Sequence, residues 1–519
     1  MCGVGVVVGQ SRAHVEHVAD QLRSSLSARG PDCLTVVVHE CPSGLFVAIV
    51  ASVLWIRGAA MAEQPLERPE GLLAWNGELY NRECLENEAD SDSLQLLAWL
   101  IAEGPAAFAK CEGPFAITFV DRVRQRLLFG RNRFGQRSLL LALPAALPGE
   151  RLTHEPDHAL GEGALEMREN TLLVLASVVP PALQQPPLVW REVPVTGVFE
   201  LDLSDKRSLA LRQVLRYAPL PRVRVTDGSR EEVTARVLQL LRQSVHKRVT
   251  SLGRGPAAQR VRLLFSGGID CLLLAVLLHE ALPPQSVLML RNVAFGSPEE
   301  AAAAFDRVQA QRAVAELRAL FPERDWQLEE KSVGHEELRA VVKQVEQLTF
   351  PQTSVMDVTI GSVLWFAFAG GSCRIVFTGI GADELFAGYA RHKARFERAG
   401  GDWQVLGDEL LCEVERIGYR NNGRDDRVGG NFGKEARHPY LDEELCRFAL
   451  SCPLHTLVDF RDSSKECGKA ALRSALQSLG FSRAIWNCPK KAMQFGSRVT
   501  KQPPFRHTRR GSEDFVQTE

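Results

Sequence analysis

The sequence predicts two domains joined by a Pro-rich connector, the second an α/β domain on a doubly wound parallel sheet. Three observations carry this reading. First, 519 residues, 45% of them hydrophobic and 24% charged, are enough for two or three full cores. Second, the prolines gather at 180-PPALQQPP-187 and 219-PLPR-222, the composition of a junction. Third, beyond that junction strand and helix signals alternate: 261-VRLLF-265, a glycine turn and an apolar helix, then 286-SVLMLRNVAF-295, a helical stretch from Pro298 to Phe321, and 374-RIVFTGIGADELFAGY-389. The expected boundaries are a first domain over 2–194, a linker over 195–230, a second domain over 231–505 and a polar tail over 506–519.

Composition narrows the partners. Sixty-two Lys plus Arg against 63 Asp plus Glu leave a net charge of −1, which argues against a nucleic-acid surface. Apolar runs such as 272-LLLAVLL-278 fall well short of the roughly 20 residues that span a bilayer, so no membrane partner is expected. The N-terminus lacks the basic region and long apolar core of an export signal. Twelve cysteines without a CxxC pair speak against zinc and against a disulfide framework. A reducing, cytoplasmic setting is expected. Nothing in the sequence fixes the oligomeric state.

In the first domain, Cys2 follows the initiator methionine. Removal of Met1 would leave a thiol beside a free α-amine, whose reference pKa of about 7.7–8.0 suits it to act as base for its own thiol. Further pieces follow in order: 29-RGPD-32, 64-QPL-66, 76-NGELYN-81, Asp92, 113-GPFAITFVD-121 and 130-GRNRFG-135. The hairpin reading of Asn-Gly competes for NGELYN. As a series these pieces resemble the class II glutamine amidotransferases, which implies an Ntn-type αββα sandwich of antiparallel sheets. The resemblance implies that Cys2 attacks the glutamine carboxamide and that Asn76 and Gly77 form the oxyanion hole. It also implies that Arg29, Glu78 and Asp92 bind glutamine. Neutral donors suit an oxyanion and carboxylates suit an ammonium group. One departure is expected to matter: the family arginine that grips the substrate carboxylate aligns with Val53. Arg57, four residues on, would share the face of Val53 if the strand continued.

In the second domain, 231-EEVTARVLQLLRQSVHKRV-249 places Val233, Val237, Leu238, Leu241, Val245 and Val249 at helical spacing. The stretch Ser266-Gly267-Gly268-Ile269-Asp270-Cys271 then ends a strand with glycines that open a helix. Such a turn presents backbone N–H groups and a positive dipole end to an anion. Asp270 would repel bare phosphate unless a magnesium ion lay between them. The turn lacks the GK[ST] of a Walker A loop. It resembles the SGGxDS loop of the ATP pyrophosphatases, the adenine nucleotide α-hydrolase-like enzymes. A second glycine turn, 379-GIGADELFAGY-389, resembles the asparagine synthetase signature, as do 435-EARHPYLD-442 and 489-PKKAMQFGS-497.

The resemblance to asparagine synthetases implies binding of ATP with Mg2+ by Ser266, Gly267, Gly268, Asp270, Cys271, Gly379 and Asp383, with Asp270 and Asp383 as magnesium carboxylates. Lys490 or Lys491 would neutralise phosphate charge. The implied reaction hydrolyses glutamine at Cys2 and uses the ammonia to amidate an adenylated carboxylate, aspartate by analogy. Two departures bear on it: Cys271 replaces a serine, and Ile380 replaces the glutamate that the synthetases place beside the substrate amine. Two other readings stay open: a nucleotide- or glutamine-binding protein with little turnover, and an adenylating enzyme with a different acceptor.

Overall fold

The computed structural model describes all residues except 1, 59, 83, 85–90, 145–162, 168–170, 187, 223–227, 253–259, 461–467, 504 and 506–519. The expected polar tail over 506–519 therefore lies outside the described residues. The chain forms two units: Met1–Ala218 with Gln344–Thr353 and Arg416–Glu435, and Pro219–Lys343 with Ser354–Glu415 and Ala436–Glu519.

The first unit holds two antiparallel sheets. One runs in the order β11 (Leu188–Glu192), β8 (Leu140–Pro144), β10 (Leu172–Ala176), β1 (Gly3–Gly9), β3 (Phe46–Val53) and β2 (Cys33–Glu40). The other runs β4 (Leu66–Arg68), β5 (Gly71–Gly77), β6 (Phe115–Asp121), β7 (Arg126–Arg131), β12 (Gly197–Asp202), β13 (Ser208–Arg216) and β9 (Gly163–Glu166). Alternation along each strand sends one set of side chains inward. Val4, Val6 and Val8 of β1 meet Ile49, Leu72, Ala74 and Phe199 in the core between the sheets. The outer faces carry helices. Leu96, Leu97 and Leu100 of the helix Asp92–Glu103 pack on Trp75 and Ile117, and the helix Arg12–Ser27 lies over β1 and β3. A side chain at Gly5 would press on Leu22 and Leu26 of that helix, which accounts for a glycine in the middle of β1. The layers are α, β, β, α, as the resemblance implied.

The expected linker over 195–230 begins with structure of its own. β12 pairs with β7, and β13 pairs with β12, so this stretch extends the second sheet of the first unit. The flanking prolines mask a hairpin whose buried Val198, Phe199 and Leu201 have the period of a strand. The first unit also includes residues 344–353 and 416–435, which the sequence boundaries had assigned to the second domain.

The second unit is built on five strands in the order β16 (Gln327–Val333), β15 (Val287–Phe295), β14 (Arg260–Leu264), β17 (Ile375–Phe377) and β18 (Glu435–Arg437). β14 pairs in parallel with β15 and β17, and β15 with β16. Strand order reverses between β14 and β17, the switch point at which doubly wound sheets bind ligands. Arg262 of β14 is fully buried because it donates to the carbonyls of Ala367, Phe368, Ala369 and Gly370, where the helix Val355–Phe368 ends. The expected amphipathic helix spans Arg230–Thr250 and starts from a capping box between Ser229 and Glu232. Leu240 rather than Leu238 completes its buried face. The helix expected from Pro298 to Phe321 is two helices, Pro298–Ala302 and Phe305–Leu320. No described helix is long and apolar enough to cross a membrane.

Candidate functional site

Each unit gathers its own constellation. In the first, Cys2 stands half-buried at the start of β1, and Asn76 and Gly77 end β5. The Cys2 backbone nitrogen donates to Asn76 Oδ1 at 3.1 Å. That bond fixes the orientation of the amide, leaving the buried Asn76 Nδ2 without a hydrogen-bond partner. An unpartnered buried donor next to a thiol is what a developing oxyanion requires. Gln64 Nε2 lies 3.8 Å from Cys2 Sγ, while Gln64 Oε1 accepts from the Trp75 N–H at 2.7 Å. Burial pushes the Cys2 thiol up, and the positive chain terminus opposes that shift. A thiol raised in this way needs a nearby base before it can act as a nucleophile.

Glu78 and Asp92 are both buried. Asp92 accepts from the Leu79 N–H at 3.1 Å, and Arg57 Nη1 reaches to 4.0 Å from the Asp92 carboxylate and donates to Leu79 O. Burial raises the Asp92 carboxyl, and Arg57 counters it. Arg57 is the residue that strand reasoning left unplaced. β3 ends at Val53, so the two-residue alternation stops there, and the following bend carries Arg57 to Asp92. Val53 itself pairs with Cys33 in the sheet and is 5% exposed. Arg29, expected to bind glutamine, is turned toward the main chain of Cys2 and toward Asp426. It is 1% exposed, donates to Cys2 O at 3.4 Å and donates to Asp426 Oδ2 at 2.6 Å.

In the second unit the two glycine turns follow β14 and β17. Gly267, at φ 76°, packs so closely on Gln309 and Ala310 that a side chain there would meet their backbone. Gly379 lies against Asp270, where an added Cβ would sit 3.2 Å from the Asp270 Cβ. The Asp270 and Asp383 carboxylates share one ammonium group. Lys469 Nζ is 2.5 Å from Asp270 Oδ2 and 2.5 Å from Asp383 Oδ1, and Lys490 Nζ is 2.6 Å from Asp383 Oδ2. Burial alone would raise Asp383, but Lys469 and Lys490 outweigh it and hold the carboxyl below its usual range. Burial likewise opposes the charge on Lys490, and Asp383 and Asp270 reverse that shift. The neighbouring lysine has a different place: Lys491 Nζ lies 4.0 Å from the centre of the Phe305 ring.

Cys271 is buried, its thiol pushed up to about 11 by burial, and it donates to Gly268 O at 3.1 Å while lying 3.7 Å from Ser266 Oγ. The serine it replaces thus becomes a neutral thiol turned into the loop. Ile380 is half-buried, its N–H donating to Thr378 Oγ1 at 3.4 Å. The acid that follows Asp383 is Glu384, which accepts from Tyr389 at 2.6 Å and is raised to about 7 by burial and by Asp383.

Whether these residues suit magnesium can be tested on the donor set. Among the described residues no group of three or more His, Cys, Asp or Glu side chains could hold a metal ion. Two carboxylates with an unpartnered Asp270 Oδ1 fit magnesium that arrives with phosphate oxygens supplying the remaining ligands.

Sequence reasoning missed Lys469 and Asp426. Lys469 carries no local signal, since it meets Asp270 across 199 positions of sequence.

Comparison with known proteins gives two family matches: a glutamine amidotransferase domain over residues 1–153, and asparagine synthase over 236–405 and 395–511. Asparagine synthetase domain-containing protein 1 of Mus musculus is 29% identical over 96% of this chain and 97% of its own length. The glutamine-hydrolyzing asparagine synthetase of Rattus norvegicus is 25% identical over 100% of this chain and 87% of its own. Among solved structures, a glutamine phosphoribosylpyrophosphate amidotransferase from B. subtilis covers 51% of this chain at 14% identity and a TM-score of 0.29.

Proposed function

The chain belongs to the asparagine synthase family, and on that premise we propose that it is a glutamine-hydrolysing, ATP-dependent amidotransferase whose acceptor is a carboxylate, aspartate by analogy. The observation that carries the proposal is the array Asp270–Lys469–Asp383–Lys490 at the switch point of a parallel sheet, two anions and two cations arranged around a glycine turn.

In the first half-reaction, with the α-amine exposed by removal of Met1, Cys2 Sγ attacks the glutamine carboxamide carbon and its proton passes to that amine. Asn76 Nδ2 and the Gly77 N–H would carry the charge on the oxygen. Collapse of the tetrahedral species expels ammonia and leaves a thioester that water hydrolyses. Arg57, Glu78 and Asp92 supply the charges that match the α-carboxylate and α-ammonium of glutamine. In the second, the carboxylate attacks the α-phosphorus of ATP, and the bond to the β-phosphate breaks to release pyrophosphate. Ammonia then displaces AMP from the acyl adenylate. Asp270 and Asp383 would hold magnesium, which neutralises phosphate charge when bound. Ser266 and the backbone of Gly267 and Gly268 would orient the phosphates, and Lys490 would meet the negative charge that develops on pyrophosphate.

Ile380 favours a second reading, a protein that binds nucleotide or glutamine with little turnover. A positioned acid or base typically contributes about 10²–10⁴-fold to a rate, and isoleucine supplies none. The two readings separate when glutaminase activity and aspartate-dependent ATP–pyrophosphate exchange are assayed independently on the purified chain. Exchange that disappears in Asp270→Ala supports the enzyme. A wild-type chain that binds ATP yet shows neither activity is the binding protein.

A further inference from the structure

The segment Arg416–Glu435 belongs to the first unit although it lies far along the chain. Its helix Gly423–Gly430 is buried along its whole length, including Arg424, Asp425, Asp426 and Arg427. Four consecutive charged residues are rarely buried unless each is matched. Here they are matched largely inside the first unit. Arg427 Nη1 lies 2.6 Å from Glu192 and donates to Ser138 Oγ. Asp426 Oδ2 accepts from Arg29 Nη2 at 2.6 Å and from the Ser138 N–H at 3.1 Å, and Asp426 O accepts from Arg29 Nη1 at 3.2 Å. Arg137 stands 3.9 Å from Asp426 Oδ1 and 3.2 Å from Glu435. Gly430 has no room for a side chain, because an added Cβ would collide with the Arg29 guanidinium.

Arg29 also points at the reacting residue: its Nε donates to the backbone carbonyl of Cys2 at 3.4 Å. We infer that Asp426 is a positioning residue for glutamine hydrolysis, holding Arg29 so that Arg29 holds the main chain of Cys2 in register with Asn76. The inference rests on the glutaminase reading of Cys2. Asp426 is 0% exposed and touches neither the thiol nor the amide of Asn76, so its influence runs through Arg29. The donor to Cys2 O sits on the same guanidinium whose other two nitrogens Asp426 takes. Loss of the carboxylate removes the short bond to Nη2 and leaves Nη1 on the main-chain carbonyl of residue 426, a single point about which the plane can turn, and with it the Cys2 carbonyl. A thiol displaced by about 1 Å from its electrophile costs on the order of 10²-fold in rate.

Asp426→Asn in the full chain tests this. The expected result is a glutaminase kcat about 10²-fold lower with KM for glutamine nearly unchanged, because the groups that match glutamine are untouched. Alkylation of Cys2 by a glutamine-mimicking diazoketone slows in parallel, while the melting curve shows a folded protein. Should the single variant fail to fold, Arg29→Met with Asp426→Leu removes both buried charges at similar volume, a replacement such sites tolerate. The folded double variant should show the same loss. Wild-type kcat and labelling rate in either folded variant overturn the inference. A wild-type chain in which Cys2 labels no faster than the other cysteines overturns the glutaminase reading instead, and that result is visible before any variant is made.

Discussion

Replacing Lys469 with methionine keeps the length of the side chain and removes the charge that Asp270 and Asp383 share. Lys469 is 2% exposed and the two carboxylate side chains 16% and 15%, so water reaches the acids only in part. Breaking a buried ion pair from one side costs about 3–5 kcal/mol, and partial access of water places this one near the lower end, about 3 kcal/mol. Lys490 remains 2.6 Å from Asp383, while the bridging position between the two acids is lost. Urea unfolding of the full chain without Mg2+ or nucleotide would read the loss as a lower midpoint for the second unit. Mg2+ added at millimolar concentration should restore part of the stability of the variant, since a cation can then enter between the two acids. The sign of the pH effect follows from Asp383. Its carboxyl is held down in the folded chain, so its contribution is present above the ordinary carboxylate pKa and fades as pH falls through the depressed value. Wild type and variant should converge in acid. Equal stability at neutral pH without Mg2+, or a variant indifferent to Mg2+, would refute the shared-counter-ion account. Gly388→Ala is a steric companion, because its methyl group would collide with both Asp383 and the Lys469 side chain.

Asn76→Ala should lower glutaminase kcat by about 10²–10³-fold with the fold intact, as measured by ammonia release, since it removes an oxyanion donor. Arg57→Ala should raise KM for glutamine by roughly 30-fold or more, the equivalent of 2 kcal/mol or above, with a smaller change in kcat. Cys271, raised to about 11 by burial, should resist iodoacetamide at pH 8 in the native chain and react only on unfolding, which peptide mapping would show. Glu384 binds more protons folded than unfolded between about pH 4.5 and 7, so it makes stability fall as pH rises through that window. Glu384→Gln should flatten the slope, gaining up to about 3 kcal/mol near neutrality in a denaturation series against pH.

Sequence legibility followed the distance over which residues act. Ser266–Asp270 and Gly379–Asp383 were readable because each is a contiguous turn whose glycines and acids sit within a few positions, and both turns do follow strands of one parallel sheet. Arg57 could be placed only if the strand continued past Val53, and β3 stops there. The hairpin of β12 and β13 falls within the expected linker because prolines flank it, although 195-VTGVFELDL-203 is strand-like in sequence; that the strand belongs to the first unit's sheet is visible only in its pairing with β7. Lys469 and Asp426 left no trace, for their partners lie 199 and 397 positions away, and only the fold brings them together. Arg29 shows the same limit from the other side: its position fits the family pattern, yet its guanidinium faces Asp426.

The central claim is that nitrogen leaves glutamine at Cys2 and arrives on a carboxylate activated at Asp270 and Asp383. The direct measurement is nitrogen-15 NMR of the purified chain with amide-labelled glutamine, Mg-ATP and aspartate. The account predicts a new labelled side-chain carboxamide formed in step with AMP, and its absence from both Cys2→Ala and Asp270→Ala. Label that stays in glutamine, or that appears as ammonium with no AMP formed, would contradict it.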